Sequence, residues 1–246
     1  MRELYKSGTT VLAFKYKDGV IVAGDRRMTS GHYHIDDYVK VEDVDNLTLI
    51  ACAGTASCIQ LLIQLLVSNR EWLEDHKVGK PIYIDGQSEL LANILKRSFL
   101  SGGSEMLWLN YIAIPILAGF DPKIGCGRVF SYDVAGMINE RPDYVAVGSG
   151  QAKAETVLDI LWDSALDLEA AQKLAIKTIM YASSDIHTAP PILAAPTIFH
   201  ASKDGVGMMD EKKAIETARD IFYKDAERRG VSPSSGIPPN TGKEVK

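Results

Sequence analysis

Apolar positions along this chain fall into two rhythms, continuous runs near the start and helix-spaced stripes further on. Thr9-Thr10-Val11-Leu12-Ala13-Phe14-Lys15-Tyr16 and Val20-Ile21-Val22-Ala23-Gly24 are apolar runs separated by Lys17-Asp18-Gly19. Two β-rich runs around an Asp-Gly turn predict a hairpin. Its pairing brings Thr9, which opens the first strand, close to Asp25, which ends the second. Residues from Met28 to Asp37 are polar with a glycine and predict a loop, and Val39-Lys40-Val41 predicts a short strand. The stretch from Asn46 to Ala53 alternates and then turns apolar, as a core strand does. Gly54-Thr55-Ala56-Ser57 breaks it, and an apolar helix follows to about Leu66, with Trp72 and Leu73 extending it past an irregularity.

A second helix is predicted over 86–100, where Leu90, Leu91, Ile94, Leu95 and Phe99 form one stripe, and Gly102-Gly103-Ser104 reads as its stop. Tyr111 to Phe120 is an apolar strand whose Pro115 suits an edge or a bulge. It turns back through Asp121-Pro122 into Arg128 to Tyr132, and Tyr144 to Val147 is a further strand. Gly148-Ser149-Gly150 opens a helix through Ala154, Val157, Leu158 and Leu161, and 168–182 forms another. Thr197 to Ala201 and Val206 to Met209 pair around a second Lys-Asp-Gly. Asp210 caps a last helix that Gly230 stops, with Ile215, Ala218, Phe222 and Ala226 as its buried stripe. From Val231 onward Pro, Ser, Gly and Lys dominate, which predicts a disordered tail. Strands and helices come in blocks rather than in strict alternation. That predicts one α+β domain with mainly antiparallel sheets in layers, not a doubly wound fold.

Composition narrows the function classes. The chain has 246 residues, 46% of them hydrophobic, enough for one sizeable core. A formal charge of −5 without a Lys/Arg cluster argues against nucleic acid as a partner. Cys52, Cys58 and Cys126 are odd in number and lack metal-ligand spacing, so they read as reduced core thiols. Residues 1–8 have no apolar signal region, and no apolar run approaches the ~20 residues of a membrane span. The expectation is a soluble, cytoplasmic protein with no cofactor and no metal.

Taken singly, the chemical signals are weak. Thr9 opening a strand is ordinary. Gly148-Ser149-Gly150 lacks the lysine of a P-loop and the spacing of a serine hydrolase elbow. His32 and His34 lie on a polar loop without a third ligand. Asp185-Ile186-His187-Thr188 could be a helix end. Together they allow one reaction. A cut after Gly8 would give Thr9 a hydroxyl and a free α-amine, a nucleophile that carries its own base. An α-amine has a reference pKa near ~7.7–8.0, so it can take and return a proton at working pH. Lys40, held by Asp25, would keep that amine partly neutral, and the N–H of Gly54 at a strand-to-helix turn would face a developing oxyanion.

In this order and spacing, the residues resemble the catalytic β subunit of the 20S proteasome, in its bacterial, actinobacterial-type form. Gly8-Thr9-Thr10-Val11 resembles the autocleavage junction of that family. Ala23-Gly24-Asp25-Arg26-Arg27 resembles its aspartate segment, Lys40 its lysine, Ala53-Gly54-Thr55-Ala56 its oxyanion turn, and Ser149 the serine beside the mature amino terminus. Asp185 and Thr188 stand where the family has Asp-x-x-Ser. The resemblance implies an N-terminal-nucleophile αββα sandwich, with residues 1–8 as propeptide, 9–229 as the hydrolase domain and 230–246 as the tail. It also implies homo-heptameric β rings stacked face to face and capped by rings of proteasome α subunits, fed with unfolded protein by an ATP-dependent unfoldase. Met28, Cys52 and Ala56 would wall the pocket for the residue before the cleaved bond, and Thr29 and Gly54 would hold the substrate backbone as an added strand. The apolar wall predicts cleavage after apolar rather than acidic residues. Two other readings stay open: a non-catalytic ring subunit, and a different N-terminal-nucleophile amidohydrolase such as an HslV-type protease.

Overall fold

The computed structural model describes residues 9–26, 28–30, 33–35, 38–108, 112–182 and 195–228. Gly8, Asp185, Thr188, the stop at Gly230 and the tail lie outside them. Strands β1 (Thr10–Tyr16) and β2 (Gly19–Gly24) form the expected hairpin, registered from Val11↔Gly24 to Tyr16↔Gly19. The polar stretch after it is a two-stranded ribbon rather than a plain loop, β3 (Met28–Ser30) paired with β4 (Tyr33–Ile35). Next come β5 (Val41–Asp43), β6 (Thr48–Gly54) and helix α1 (Ala56–Leu73). Trp72 and Leu73 belong to α1 without a break, and the irregularity comes later, as a π-helical turn at Glu74–Val78 closed by Gly79 at φ +66°.

Helix α2 (Ile84–Trp108) runs through Gly102-Gly103-Ser104, so those glycines do not stop it. Glycine costs a helix interior only about 1 kcal/mol each, which packing can outweigh. Strands β7 (Ala113–Asp121), β8 (Cys126–Tyr132), β9 (Ile138–Arg141) and β10 (Tyr144–Gly148) follow, then α3 (Gln151–Leu161) and α4 (Leu168–Ala182). The described residues close with β11 (Thr197–Ser202), β12 (Gly205–Met208) and α5 (Glu211–Arg228). Asp210 caps α5 by accepting from the Lys213 N–H at 3.0 Å.

The sheets have the orders β10-β1-β2-β11-β12 and β5-β6-β7-β8-β9, and every pairing is antiparallel. β7 is therefore central, not an edge. Pro115 is tolerated there because its pair with Cys52 falls between hydrogen-bonded pairs of the β6–β7 ladder. Its missing N–H faces β8, where the last pair is Ile116↔Ser131.

Alternation along β1 shows why both faces are apolar. Val11 and Ala13 meet Leu49, Ala51, Ile116 and Val129 between the sheets. Leu12 and Phe14 point the other way, onto Leu158 of α3, Ala175 and Ile179 of α4 and Ala218 of α5. On the far side, Ile50, Cys52 and Leu117 pack against Leu62 and Leu66 of α1 and Leu91 of α2. The result is helices, sheet, sheet, helices, the expected αββα sandwich. Cys52 is a core thiol and Cys58 is partly buried, but Cys126 is exposed at the start of β8, which corrects its reading as a core residue.

Candidate active site

The site is built where β1 begins, β2 ends and β5 begins. Asp25 lies one residue beyond β2. Its N–H donates to the Thr10 carbonyl at 3.0 Å, and its Oδ1 accepts from the Thr10 N–H at 2.6 Å. Asp25 thus extends the β1–β2 ladder by one pair, its carboxylate replacing a backbone carbonyl. The same Oδ1 accepts from Lys40 Nζ at 2.8 Å, and the two side chains are only 0% and 3% exposed. Lys40 sits just before β5, its carbonyl accepting from the Cys52 N–H at 3.4 Å. One carboxylate oxygen therefore fixes both the lysine charge and the backbone next to Thr9. A buried pair of this kind survives only with close geometry and further hydrogen bonds, and both are present.

Thr9 is held from the other side by β10. Its carbonyl accepts from the Ser149 N–H at 2.8 Å, and Ser149 Oγ stands at 3.5 Å from the same oxygen. Gly148 makes this approach possible. It has φ +106°, and a Cβ there would lie 1.9 Å from the Thr9 carbonyl oxygen. At Gly150 a Cβ would lie 2.3 Å from Thr10 Oγ1. The resemblance implied Ser149 as the residue beside Thr9, and the two glycines that flank it are the sequence signal of this contact.

Gly54 ends β6 at φ +138°, and a Cβ there would lie 2.1 Å from the Ile112 carbonyl oxygen. The Thr55 N–H donates to that oxygen at 2.8 Å. Strand alternation then turns the Gly54 N–H to the opposite side, toward the edge where Lys40 precedes β5. Thr55 occupies the N-cap of α1, so the helix dipole adds positive potential at this turn.

Among the other expected residues, Cys52 is fully buried on the helix side of β6, and burial pushes its thiol above its ordinary range. Ala56, half-buried, is the first residue of α1. Met28 and Thr29 belong to β3, paired with Ile35 and His34. Arg26 joins the aspartate segment to α5 by an ion pair to Glu211 at 2.6 Å. Among the described residues no group of three or more His, Cys, Asp or Glu could hold a metal, and no helix is long and apolar enough to cross a membrane. Chemically, the arrangement offers the Thr9 hydroxyl, a buried cation held by the same carboxylate oxygen that binds the Thr10 N–H, and an amide donor at the helix start.

Comparison with known proteins agrees with this geometry. The proteasome subunit family model matches residues 5–190. The chain is 32% identical over 232 residues to a proteasome subunit beta of Stackebrandtia nassauensis, a match covering 91% of this chain and 81% of that protein. It is 33% identical over 238 residues to a proteasome subunit beta of Rhodococcus opacus, covering 93% and 79%. A proteasome subunit beta of Mycobacterium avium is 33% identical over 239 residues, covering 93% and 77%. A family match across most of the chain and the αββα layers around Thr9, Asp25 and Lys40 lead to one conclusion: the chain belongs to the proteasome subunit family.

Proposed function

We propose that this chain is a threonine endopeptidase subunit of a proteasome core, with Thr9 as its nucleophile. The observation that carries the reading is the single Asp25 oxygen shared by the Thr10 N–H and Lys40 Nζ, which holds a buried cation beside Thr9. Residues 1–8 act as a propeptide. Thr9 Oγ attacks the Gly8 carbonyl, the Gly8–Thr9 amide becomes an ester on that oxygen, and water hydrolyses the ester. The α-amine released then serves as the base.

In each later turnover the amine takes the Thr9 hydroxyl proton as Oγ attacks a substrate carbonyl. The Gly54 N–H receives the oxyanion. Collapse breaks the C–N bond, and the ammonium returns its proton to the departing amine. Water then hydrolyses the acyl ester and regenerates Thr9. Lys40 disfavours a protonated amine through like charge, and Ser149, Asp185 and Thr188 surround and orient that amine. Met28, Cys52 and Ala56 wall the pocket for the residue before the cut, and Thr29 with Gly54 pairs with the substrate backbone.

The active form is a cytoplasmic assembly. Homo-heptameric β rings stack between α-subunit rings, and an ATP-dependent unfoldase delivers unfolded protein. Residues 9–229 form the hydrolase domain, and 230–246 are a tail outside it. The test is co-expression with the α partner, isolation of the assembly by size, and hydrolysis of a fluorogenic peptide. Thr9→Ala and Lys40→Ala assemblies are expected to lose on the order of a thousandfold or more in kcat. An assembly whose hydrolysis survives Thr9→Ala, or a parent assembly with none, would instead favour a structural ring subunit.

A further inference from the structure

Asp25 stands one residue past the end of β2, so the sheet alone does not fix the backbone that follows it. Arg26 is the next residue. Its carbonyl accepts from the Tyr38 N–H at 3.0 Å, two residues before Lys40. Its side chain reaches α5, where Nη1 donates to Glu211 Oε1 at 2.6 Å across 185 residues of sequence. Arg26 thus joins the segments that carry Asp25 and Lys40 to a helix distant in the chain.

The start of α5 is itself held in place. The Met209 N–H donates to the Ile198 carbonyl at 2.9 Å, and Asp210 caps the helix. Ala214 and Ala218 are buried in the same cluster as Ala23 and Ile198. Ile198 pairs with Ala23 and Thr197 with Gly24, the last residues of β2. The contacts therefore close a circuit from β2 through Asp25, Arg26, Glu211 and β11 back to β2. Charge keeps it closed. Glu211 lies in the first turn of α5, where the helix dipole favours an anion and disfavours a cation. The Arg26 side chain, 17% exposed, is tolerated at that positive end because Glu211 faces it.

We propose that Arg26 and Glu211 are positioning residues, through which α5 holds the Asp25–Lys40 pair where the reaction at Thr9 needs it. The proposal rests on the reading of Thr9 as nucleophile. Neither residue touches the reacting atoms. Without their contact the Asp25 backbone keeps its bonds to Thr10 but loses the tie to α5, and a small displacement of a catalytic group is costly in rate. The loss therefore falls on kcat rather than on substrate binding.

The test uses the complex assembled with its α partner, isolated by size, and one fluorogenic peptide, with Thr9→Ala as control. Glu211 is largely exposed, so Arg26→Gln and Glu211→Gln are each expected to lower kcat only about fivefold, with KM held within about twofold. The double variant is expected to be no slower than the slower single, because both changes remove the same contact. Arg26→Lys keeps a cation for Glu211 and is expected to recover most of the parent kcat. Unchanged kcat in both singles, losses that multiply in the double, or an Arg26→Lys assembly as slow as Arg26→Gln would overturn the coupling and leave the Thr9 assignment standing. A parent assembly without hydrolysis, or hydrolysis that survives Thr9→Ala, would overturn the Thr9 reading and the coupling with it.

Discussion

Breaking the Asp25–Lys40 pair gives the sharpest energetic test of the site. The pair is 2.8 Å long, with side-chain exposures of 0% and 3%. Removing one member of a buried pair costs ~3–5 kcal/mol, because the other charge stays desolvated. Lys40→Met keeps the length of the side chain but leaves the Asp25 carboxylate buried without the Lys40 ammonium. Asp25→Asn keeps an acceptor for the Thr10 N–H but removes the charge that faces Lys40. Each single variant is expected to lose about 3 kcal/mol or more. The double variant buries no charge at this point and is expected to lose at least ~2 kcal/mol less than the sum of the singles. The assay is urea unfolding of the chain expressed without partners. At a slope of ~3 kcal/mol per molar, each single variant lowers the midpoint by about 1 M. pH separates the two. In Lys40→Met the buried carboxyl binds its proton more tightly folded than unfolded, so stability is regained as pH falls and lost as pH rises. The Lys40→Met deficit should therefore narrow from pH 8 to pH 5, while the Asp25→Asn deficit should not. Additive effects, or single losses below ~1 kcal/mol, would refute the buried-pair account.

Gly148→Ala forces a Cβ to within 1.9 Å of the Thr9 carbonyl oxygen at φ +106°. It is expected to cost ~2–3 kcal/mol or more and to displace Thr9, seen as lost peptide hydrolysis in an assembly that still forms. His200 on β11 is half-buried, and burial lowers its affinity for a proton. Gly207 lies against its ring, where a Cβ would sit 2.4 Å from Cε1. The unfolded chain binds that proton more readily, so His200 costs stability as pH falls through its ordinary value near ~6.5. His200→Gln should flatten the fall in urea midpoint between pH 7 and pH 5.5, and an unchanged fall would remove His200 as its cause.

The parts legible in the sequence were those where local chemistry and tertiary structure agree. The Lys17-Asp18-Gly19 turn, the apolar runs beside it and the stripe of α4 each name their own element. The misses share a different cause. β9, Ile138-Asn139-Glu140-Arg141, is mostly polar and only partly buried, so nothing local marks it as a strand, and only pairing with β8 makes it one. Gly102-Gly103 reads as a stop because local propensity says so, yet α2 continues. Pro115 suggests an edge, because ladder parity is not visible in one strand. At the site, Asp25 and Lys40 could be named from their motif. The Thr10 N–H that shares the Asp25 oxygen with Lys40 is a fact of register, which a single sequence does not display.

The central claim is that Thr9 becomes the first residue by cutting its own junction. The most direct measurement is the intact mass of this subunit taken from the complex assembled with its α partner, beside a Thr9→Ala control. The account predicts that the parent has lost residues 1–8 and that the control keeps them. A parent subunit that keeps residues 1–8 in the finished assembly, or a control that loses them as well, would contradict it.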